Sequence, residues 1–351
     1  MYAGPVHGLS DQLDRPNFSG WFVTAAGRGR EPRPGDALVE QSYLDSARVW
    51  APAKPLIRRA ERQRPPDEFA VLIVDDSILE KAHTDPSALI CTHWDHGQQR
   101  FVKGLNFVGL LDQAGGLALP IAVEFIEKTE AVRDAKARQT KTKSKYAKNE
   151  CLRAVPRVAQ HQAAYRYLLA DSWHASAENM NAVRKRGQVF VRALESSRTV
   201  ALSEAARAQG RFQALDALAF PDEQPLRVWL RAVPTAVPVA RQVFTNKDGP
   251  QGVLYLVSGD TDPGQAQLTT IYQRRWKAEE YHKSLKQNAF MGKSPTKKPD
   301  TQANHFFAAI LTYTTLDVLK LKSGMGHFRL KANLYLAGLR AMHQELALIA
   351  A

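Results

Sequence analysis

Four polar residues near the C-terminal end of the chain have a spacing that suits chemistry on phosphates. Tyr272, Arg275, Glu279 and Lys286 follow the pattern Y-x2-R-x3-E-x6-K. A helix turns by about 100° per residue, so on one continuous helix the four side chains fall within about 60° of one another. A carboxylate flanked by two cations and a phenol can hold a metal ion beside a phosphate. We therefore predict one helix over 262–288 with a functional polar stripe.

The other side of this helix is predicted to face the core. It carries mostly apolar residues, namely Ala278, Tyr281, Leu285 and Ala289. The neighbouring acid Glu280 falls outside the polar stripe. A solvated face of salt bridges one helical turn apart is the simpler interpretation of the charged residues. The two aspartate motifs described next favour the functional interpretation.

Two aspartate motifs follow apolar runs earlier in the chain. Val-Asp-Asp-Ser at 74–77 ends one run, and Leu-Ala-Asp-Ser at 169–172 ends another. Continuous apolar runs are typical of strands buried on both faces, so we expect the acids at the ends of buried strands. Strand alternation points Asp75 and Asp76 to opposite faces, and the residues alone leave both open as partners of Asp171. Turn formation or helix capping is the simpler role for these aspartates.

Metal-dependent phosphodiester chemistry requires, as a minimum from the protein, a few carboxylates brought together from distant parts of the chain. Two divalent metal ions about 3.5–4 Å apart can activate an oxygen nucleophile and stabilise the leaving oxygen. Mg²⁺ takes oxygen ligands, chiefly carboxylates and water. Asp76 (or Asp75), Asp171 and Glu279 are the candidate ligands.

The three motifs together resemble those of DDE transposases of the bacterial insertion-sequence-four type, whose third motif is known as YREK. The resemblance runs from about residue 66 to the C-terminus, with the motifs in the family's order and spacing. It implies an α/β fold: an RNase H-like mixed sheet flanked by helices, with a β-rich insertion between the second and third acids. It also implies Asp76, Asp171 and Glu279 as catalytic ligands of Mg²⁺ or Mn²⁺, since the family's first acid directly precedes Ser or Thr.

The family's activity is the cutting and pasting of DNA elements by strand cleavage and strand transfer. By resemblance, Tyr272, Arg275 and Lys286 bind DNA phosphates beside the acids. The implied partners are the ends of the element and the target DNA, bound by a homodimer assembled on DNA. A decayed or domesticated RNase H-like protein that binds or nicks DNA without transposition is the alternative.

Composition agrees with a polyanionic partner. The 351 residues carry a formal net charge of +13, with a pI near 9.7. Such a balance favours nucleic acid as the partner. Cys91 and Cys151 are the only cysteines, which fits a reducing compartment. No apolar run approaches the roughly 18 residues of a membrane span, and we expect a cytoplasmic bacterial protein associated with the nucleoid.

The order of predicted elements divides the chain into five parts. Residues 1–65 are predicted to form an irregular N-terminal region, with two short helices at 43–50 and 54–62. Residues 1–40 do not resemble the helical N-terminal region of the family, which truncation or a shifted reading frame would explain. Strands at 70–74, 101–111, 117–125, 167–170 and 188–194 and helices at 149–164 and 177–186 form the first part of the catalytic domain, 66–195. Short strands in 196–265 form the β-rich insertion. The YREK helix and a helix at 301–322 complete the catalytic domain over 266–322, and a last helix fills 323–351.

Three further features are open. The basic segment 128–148 is either a solvated loop or a DNA contact. The stretch Cys91-Thr-His-Trp-Asp-His invites a zinc interpretation but lacks an evident second ligand pair. Some relatives place a Trp in the last insertion strand to stack on a flipped base, and the matching stretch 252–258 has none.

Overall fold

The computed structural model describes residues 46–65, 68–114, 116–134, 139–144, 163–245, 249, 251–294 and 296–350. The chain divides into two compact units, with one spanning Val49–His282 and the other containing the residues from Lys283 onward. Of the predicted irregular region 1–65, residues 1–45 lie outside the described residues, whereas Ser46–Gln63 forms a helix. Residues 149–162 of the helix predicted at 149–164 also lie outside them, and residues 163 and 164 are not helical. No helix in the described ranges is both long and apolar enough to cross a membrane.

The first unit is built on one large mixed sheet. Its strands, with a separate β5–β6 hairpin, are β1 (Val71–Glu80), β2 (Ile90–Asp95), β3 (Arg100–Ala114), β4 (Leu117–Phe125), β5 (Glu130–Asp134), β6 (Gln139–Lys143), β7 (Tyr167–Ala170), β8 (Val189–Leu194), β9 (Thr199–Ala201), β10 (Gln213–Ala214), β11 (Leu226–Leu230), β12 (Val237–Thr245) and β13 (Gln251–Ser258). The helices of the chain are α1 (Ser46–Gln63), α2 (Ala177–Lys185), α3 (Glu204–Ala208), α4 (Gln265–Gln273), α5 (Trp276–Gln287), α6 (Pro299–Ser323) and α7 (His327–Ala350).

Strand β1 lies at the centre of the sheet's functional half. It pairs antiparallel with β3 and parallel with β7, and β7 pairs parallel with β8. Strands β2 and β4 share the far edge of β3. On the other side, the sheet continues from β8 through β13, β12, β11, β9 and β10. The strands predicted at 101–111, 117–125, 167–170 and 188–194 are confirmed within a few residues, whereas β2 was not predicted.

Strand β1 is longer than its apolar run predicts. The prediction ended the strand at Val74, but pairing with β3 continues residue by residue to Glu80 opposite Gly104. At Gly104 an added Cβ would lie 2.3 Å from the Leu79 carbonyl oxygen, so only glycine allows this close approach. Backbone pairing with the long strand β3 thus extends β1 beyond its apolar run. Both aspartates of the first motif therefore lie within the strand and not at its end.

The predicted single helix over 262–288 is wrong. The structure has two helices, α4 and α5, separated at Arg274 and Arg275. Hydrogen bonds of the tighter i to i−3 type run through this junction, for example from Arg275 N to Tyr272 O. Arg274 is held there by a tertiary contact, because it donates to the Phe69 carbonyl at 2.9 Å and its guanidinium stacks over the Phe69 ring. Tyr272 and Glu279 are consequently on different helices.

The predicted apolar side of this segment is confirmed. Ala278, Tyr281, Leu285 and Ala289 are all buried. Local periodicity was sufficient here because the helix α5 itself covers most of these positions.

In the second unit, α6 and α7 confirm the two predicted C-terminal helices. Gly324 ends α6 in the left-handed conformation, with φ of 68°. Beside this turn, the fully buried carboxyl group of Asp317 accepts a hydrogen bond from Lys320 and lies 3.3 Å from His327 Nε2. The other nitrogen of His327 lies 2.8 Å from Ser284 Oγ. This network ties the start of α7 to α6 and to the end of α5.

Candidate active site

The register of β1 and β7 brings two aspartates side by side. The two strands pair in parallel up to Ile73 and Leu169. Continued by two residues, this register sets Asp171, which directly follows β7, beside Asp75. Residues opposite each other on neighbouring strands point to the same face of a sheet. Asp75 and Asp171 therefore share one face.

Helix α5 lies over that face. Asp75 is opposite Gly109 on β3, and an added Cβ at Gly109 would lie 3.9 Å from Cε1 of Tyr281 in α5. The ring of Phe107, two residues along the same strand, meets the ring of His282 edge-on at 5.6 Å. These contacts bring the N-terminal half of α5, with its acid, to the two aspartates.

Arg275 connects the acids. Its guanidinium lies 3.4 Å from Glu279 Oε1 and 4.0 Å from Asp75 Oδ1. It also lies over the ring of Tyr272, 5.8 Å from the centroid. Burial raises the pKa of Tyr272 to about 12, while Arg275 opposes this rise and Asp171 adds to it. The five side chains thus form one electrostatic group.

The carboxyl group of Asp75 is strongly perturbed. Burial raises its pKa to about 7, and Arg275 lowers it. The negative charges of Asp171, Asp76 and Glu279 raise it further. A divalent cation bound among these carboxylates would reduce the repulsion between their negative charges.

The shift at Asp75 predicts how stability depends on pH in metal-free protein. Because the folded state holds this proton up to about pH 7 and the unfolded state releases it near pH 4, the folded state binds more protons in that interval. The free energy of unfolding should therefore fall as the pH rises from 4 to 7. Replacing Asp75 with Asn should remove part of this fall and make the variant more stable than wild type at pH 8.

Urea unfolding in the presence of EDTA at pH 5 and pH 8 measures this difference. Buried Asp112, whose pKa burial also raises to about 7, contributes with the same sign in both proteins and cancels in the comparison. An Asp75→Asn variant that loses as much stability as wild type between the two pH values would contradict the prediction.

Because side chains alternate along β1, Asp76 points to the face opposite Asp75. Its Oδ1 lies 3.4 Å from Nε2 of buried His174. Burial lowers the pKa of His93 to about 4, with Lys128 adding to the effect and Asp76 opposing it. Cys91 Sγ in turn lies 3.2 Å from His93 Nε2. Asp76 thus contacts a group of histidines, one of which, His174, also donates its backbone N–H to Asp171 Oδ1 at 3.3 Å.

The structure therefore gathers most of the predicted site residues but divides the aspartate pair. Those gathered on the α5 face with Asp75 are Asp171, Tyr272, Arg275 and Glu279. Asp76 lies on the other face. Lys286 is in the last turn of α5 and belongs to the second unit. Glu280, outside the predicted stripe, is paired with Lys277 at 2.7 Å.

Metal ligation needs some rearrangement of these side chains. Among the residues that the structure describes, no three His, Cys, Asp or Glu side chains are close enough to hold a metal ion as they stand. On the α5 face, the guanidinium of Arg275 contacts two of the acids. The carboxylate oxygens there are nevertheless of the type that Mg²⁺ and Mn²⁺ prefer.

Sequence reasoning missed two neighbours of the acids. His282 Nδ1 lies 3.5 Å from Asp75 Oδ2. Its position one turn after Glu279 on the same helix was an available signal. The second is a group of exposed aromatic rings near the start of the β7–α2 connection, comprising Trp94, His96, Phe101 and Trp173. No periodicity joins these positions, because they come from β2, β3 and the residues after Asp171.

Comparison with known families finds a match over most of the chain. Residues 67–315 match the model of the family described as Transposase DDE domain. A search of curated proteins found no match to the chain.

Proposed function

Because the chain belongs to the family of transposase DDE domains, matched over 67–315, we propose that it is a DNA transposase of the insertion-sequence-four type. It would carry out metal-dependent strand cleavage and strand transfer by a cut-and-paste route. The observation that carries this proposal is the group of Asp75, Asp171 and Glu279 around Arg275 on one face of the sheet.

The strand order supports an RNase H-like catalytic domain. In this interpretation β1, β3, β4, β7 and β8 are its five strands, with β1 central, β3 antiparallel and β7 parallel to it. Strands β9 to β13 then form the β-rich insertion, since they fall between Asp171 and Glu279 in sequence. We retain 66–195, 196–265, 266–322 and 323–351 as the proposed divisions.

Mg²⁺ or Mn²⁺ would be held by Asp171, Glu279 and one aspartate of the first motif. When bound, these ions supply Lewis-acid charge for hydrolysis and transesterification of phosphodiesters. The resemblance implied Asp76 as the first ligand. We propose Asp75 instead, because it shares the α5 face with Asp171 and its pKa responds to both Asp171 and Glu279.

Arg275 is proposed to change partners when DNA binds. In the free protein its guanidinium offsets the charge of Asp75 and Glu279. A guanidinium can bind a phosphate through two donors, so Arg275 would bind the phosphodiester of incoming DNA. The carboxylates of Asp75 and Glu279 would then be available to bind the divalent cations. The ring of Tyr272 lies next to the guanidinium, with its centroid 5.8 Å away. Lys286 would bind a phosphate further along α5 as a point charge.

The partners follow from this chemistry. The net charge of +13 favours binding to the element ends and to target DNA. Two ends must be held together for cut-and-paste transfer, so we propose a homodimer assembled on DNA, associated with the nucleoid in the cytoplasm. The exposed rings of Trp94, Phe101 and Trp173 offer faces on which unpaired bases can stack.

Cleavage of DNA tests the proposal. Purified protein should nick or cut DNA carrying the element's ends with Mg²⁺ or Mn²⁺ and not with EDTA. The Asp171→Asn variant should bind the same DNA without cutting it. Metal-independent binding by wild type without any cleavage would instead support the alternative, a decayed or domesticated protein that only binds DNA.

A binding measurement tests the role of Arg275. Arg275→Ala should weaken metal-free DNA binding and reduce the slope of log K against log salt by about one unit, because one phosphate contact is lost. Lys277→Ala is the matched control, since Lys277 lies on the same segment but is paired with Glu280. Fluorescence anisotropy over a range of salt concentrations gives both slopes. Equal losses in the two variants would show that the helix is merely basic.

A further inference from the structure

Helix α7 presents apolar side chains to solvent along nearly its whole length. Nine large apolar residues in it are between 52% and 80% exposed: Phe328, Leu334, Tyr335, Leu336, Leu339, Met342, Leu346, Leu348 and Ile349. Single exposed apolar residues are ordinary on protein surfaces, but a contiguous set of this size marks an interaction surface.

Seven exposed positions of α7 follow a coiled-coil spacing. They are separated alternately by four and three residues, and all are apolar: Phe328, Ala332, Tyr335, Leu339, Met342, Leu346 and Ile349. This alternation keeps one seam of a helix facing a partner helix over three heptads. We call these seven residues the α7 seam.

A groove runs along the seam between α6 and α7. Its volume is about 400 Å³, and its walls come from Thr312 and Leu316 on α6 and from Tyr335, Leu339 and Met342 on α7. Gly338 also lines the groove, and an added Cβ there would meet nothing within 4 Å. A helix can approach closely at such a position.

The exposed area matches what a stable dimer buries. A large apolar side chain that is about half exposed presents roughly 100 Å². The six large residues of the seam thus expose on the order of 600 Å², and flanking residues such as Leu334 bring this near the roughly 800 Å² that each partner buries in an interface of standard size.

The seam is complementary to itself in the antiparallel direction. Aligning two copies about residue 337 stacks Phe328 on Leu346, Ala332 on Met342 and Tyr335 on Leu339, so apolar residues face one another in these layers.

The same alignment brings Gly338 within two positions of its own copy, about 3 Å along the helix axis. It also brings Lys331 within two positions of Glu345 of the copy, about 3 Å along the axis, so charges of opposite sign flank the seam on both sides of the centre. Lys331 donates one hydrogen bond to the Gln287 carbonyl, and an ammonium group has further donors for a carboxylate.

From the seam, the groove and this complementarity, we propose that α7 pairs antiparallel with α7 of a second copy of the chain, so that the protein is a dimer without DNA. This proposal does not depend on the catalytic function. Residues 1–45 are a poorer occupant of the groove, because they are rich in Gly, Pro and Arg and lack a periodic apolar face.

Light scattering after size exclusion tests the proposal on the full chain at about 10 μM, a concentration at which a stable interface is occupied. Wild type without DNA should have twice the monomer mass of 39.1 kDa. Leu339→Glu should be monomeric, because it puts a charge into the seam at a residue that is already exposed in the free helix. Leu348→Glu is the matched control: the same change, on the same helix, outside the seam, should leave the dimer intact.

Crosslinking tests the orientation. With Cys91 and Cys151 replaced by Ser, Gly338→Cys should crosslink to its own copy with a short bis-maleimide, whereas Ala341→Cys should not. Three results would overturn the proposal: monomeric wild type, a dimer that persists in Leu339→Glu, or equal effects of Leu339→Glu and Leu348→Glu. If deletion of residues 1–45 turns monomeric wild type into a dimer, the N-terminal segment is the occupant of the groove and the proposal is wrong.

Discussion

Replacing Asp75 with Asn is expected to lower metal-dependent DNA cleavage by at least about 1,000-fold, equivalent to about 4 kcal/mol of transition-state stabilisation. The carboxyl group of Asp75 lies on the α5 face with Asp171 and Glu279, and an amide there cannot supply the charge that holds a divalent cation. Binding of DNA in EDTA should change little, because Asp75 is not a cationic phosphate contact. Single-turnover cleavage of DNA carrying the element's ends gives the rate, and anisotropy gives the affinity.

Asp76→Asn is the matched control for this experiment. The two residues are adjacent, carry the same side chain and lie on the same strand, but they point to different faces of the sheet. Asp76→Asn should retain cleavage within about tenfold of wild type, which corresponds to about 1.4 kcal/mol or less. If instead Asp76→Asn is inactive and Asp75→Asn is active, the assignment implied by family resemblance is right and the proposed assignment is wrong.

Replacing Tyr281 with Ala should cost about 3–5 kcal/mol in the free energy of unfolding, the usual range for removal of a buried aromatic ring. Tyr281 is 2% exposed and fixes α5 against the sheet near Gly109, on the face that carries Asp75. Cleavage should fall as well, because the same helix positions Glu279 and His282. The shift of the urea midpoint measures the loss of stability.

Glu280→Ala is the control on the same helix. Glu280 is exposed and its pair with Lys277 lies at the surface. Surface substitutions of this type usually change stability by less than about 0.5 kcal/mol. A Tyr281→Ala variant as stable as Glu280→Ala would show that α5 is held in place by other contacts.

The sequence by itself determined the features that depend on local periodicity. The buried side of α5 and the strands β3, β4 and β7 follow from the order of apolar residues along short segments, and the structure confirms them. The order and spacing of the three motifs were likewise sufficient to indicate a DDE transposase, the family whose model matches residues 67–315. These features need no knowledge of which segments meet in space.

The tertiary structure decided which side chains meet. Asp75 and Asp76 are equivalent in sequence, and only the register of β1 with β7 and the packing of α5 distinguish the face that carries Asp171. The junction between α4 and α5 could not be predicted from the local sequence either. Arg274 is held there by a contact with Phe69, which is 205 positions away in the chain. Pairing partners, strand register and the face that a helix covers are set by distant segments, so no local pattern contains them.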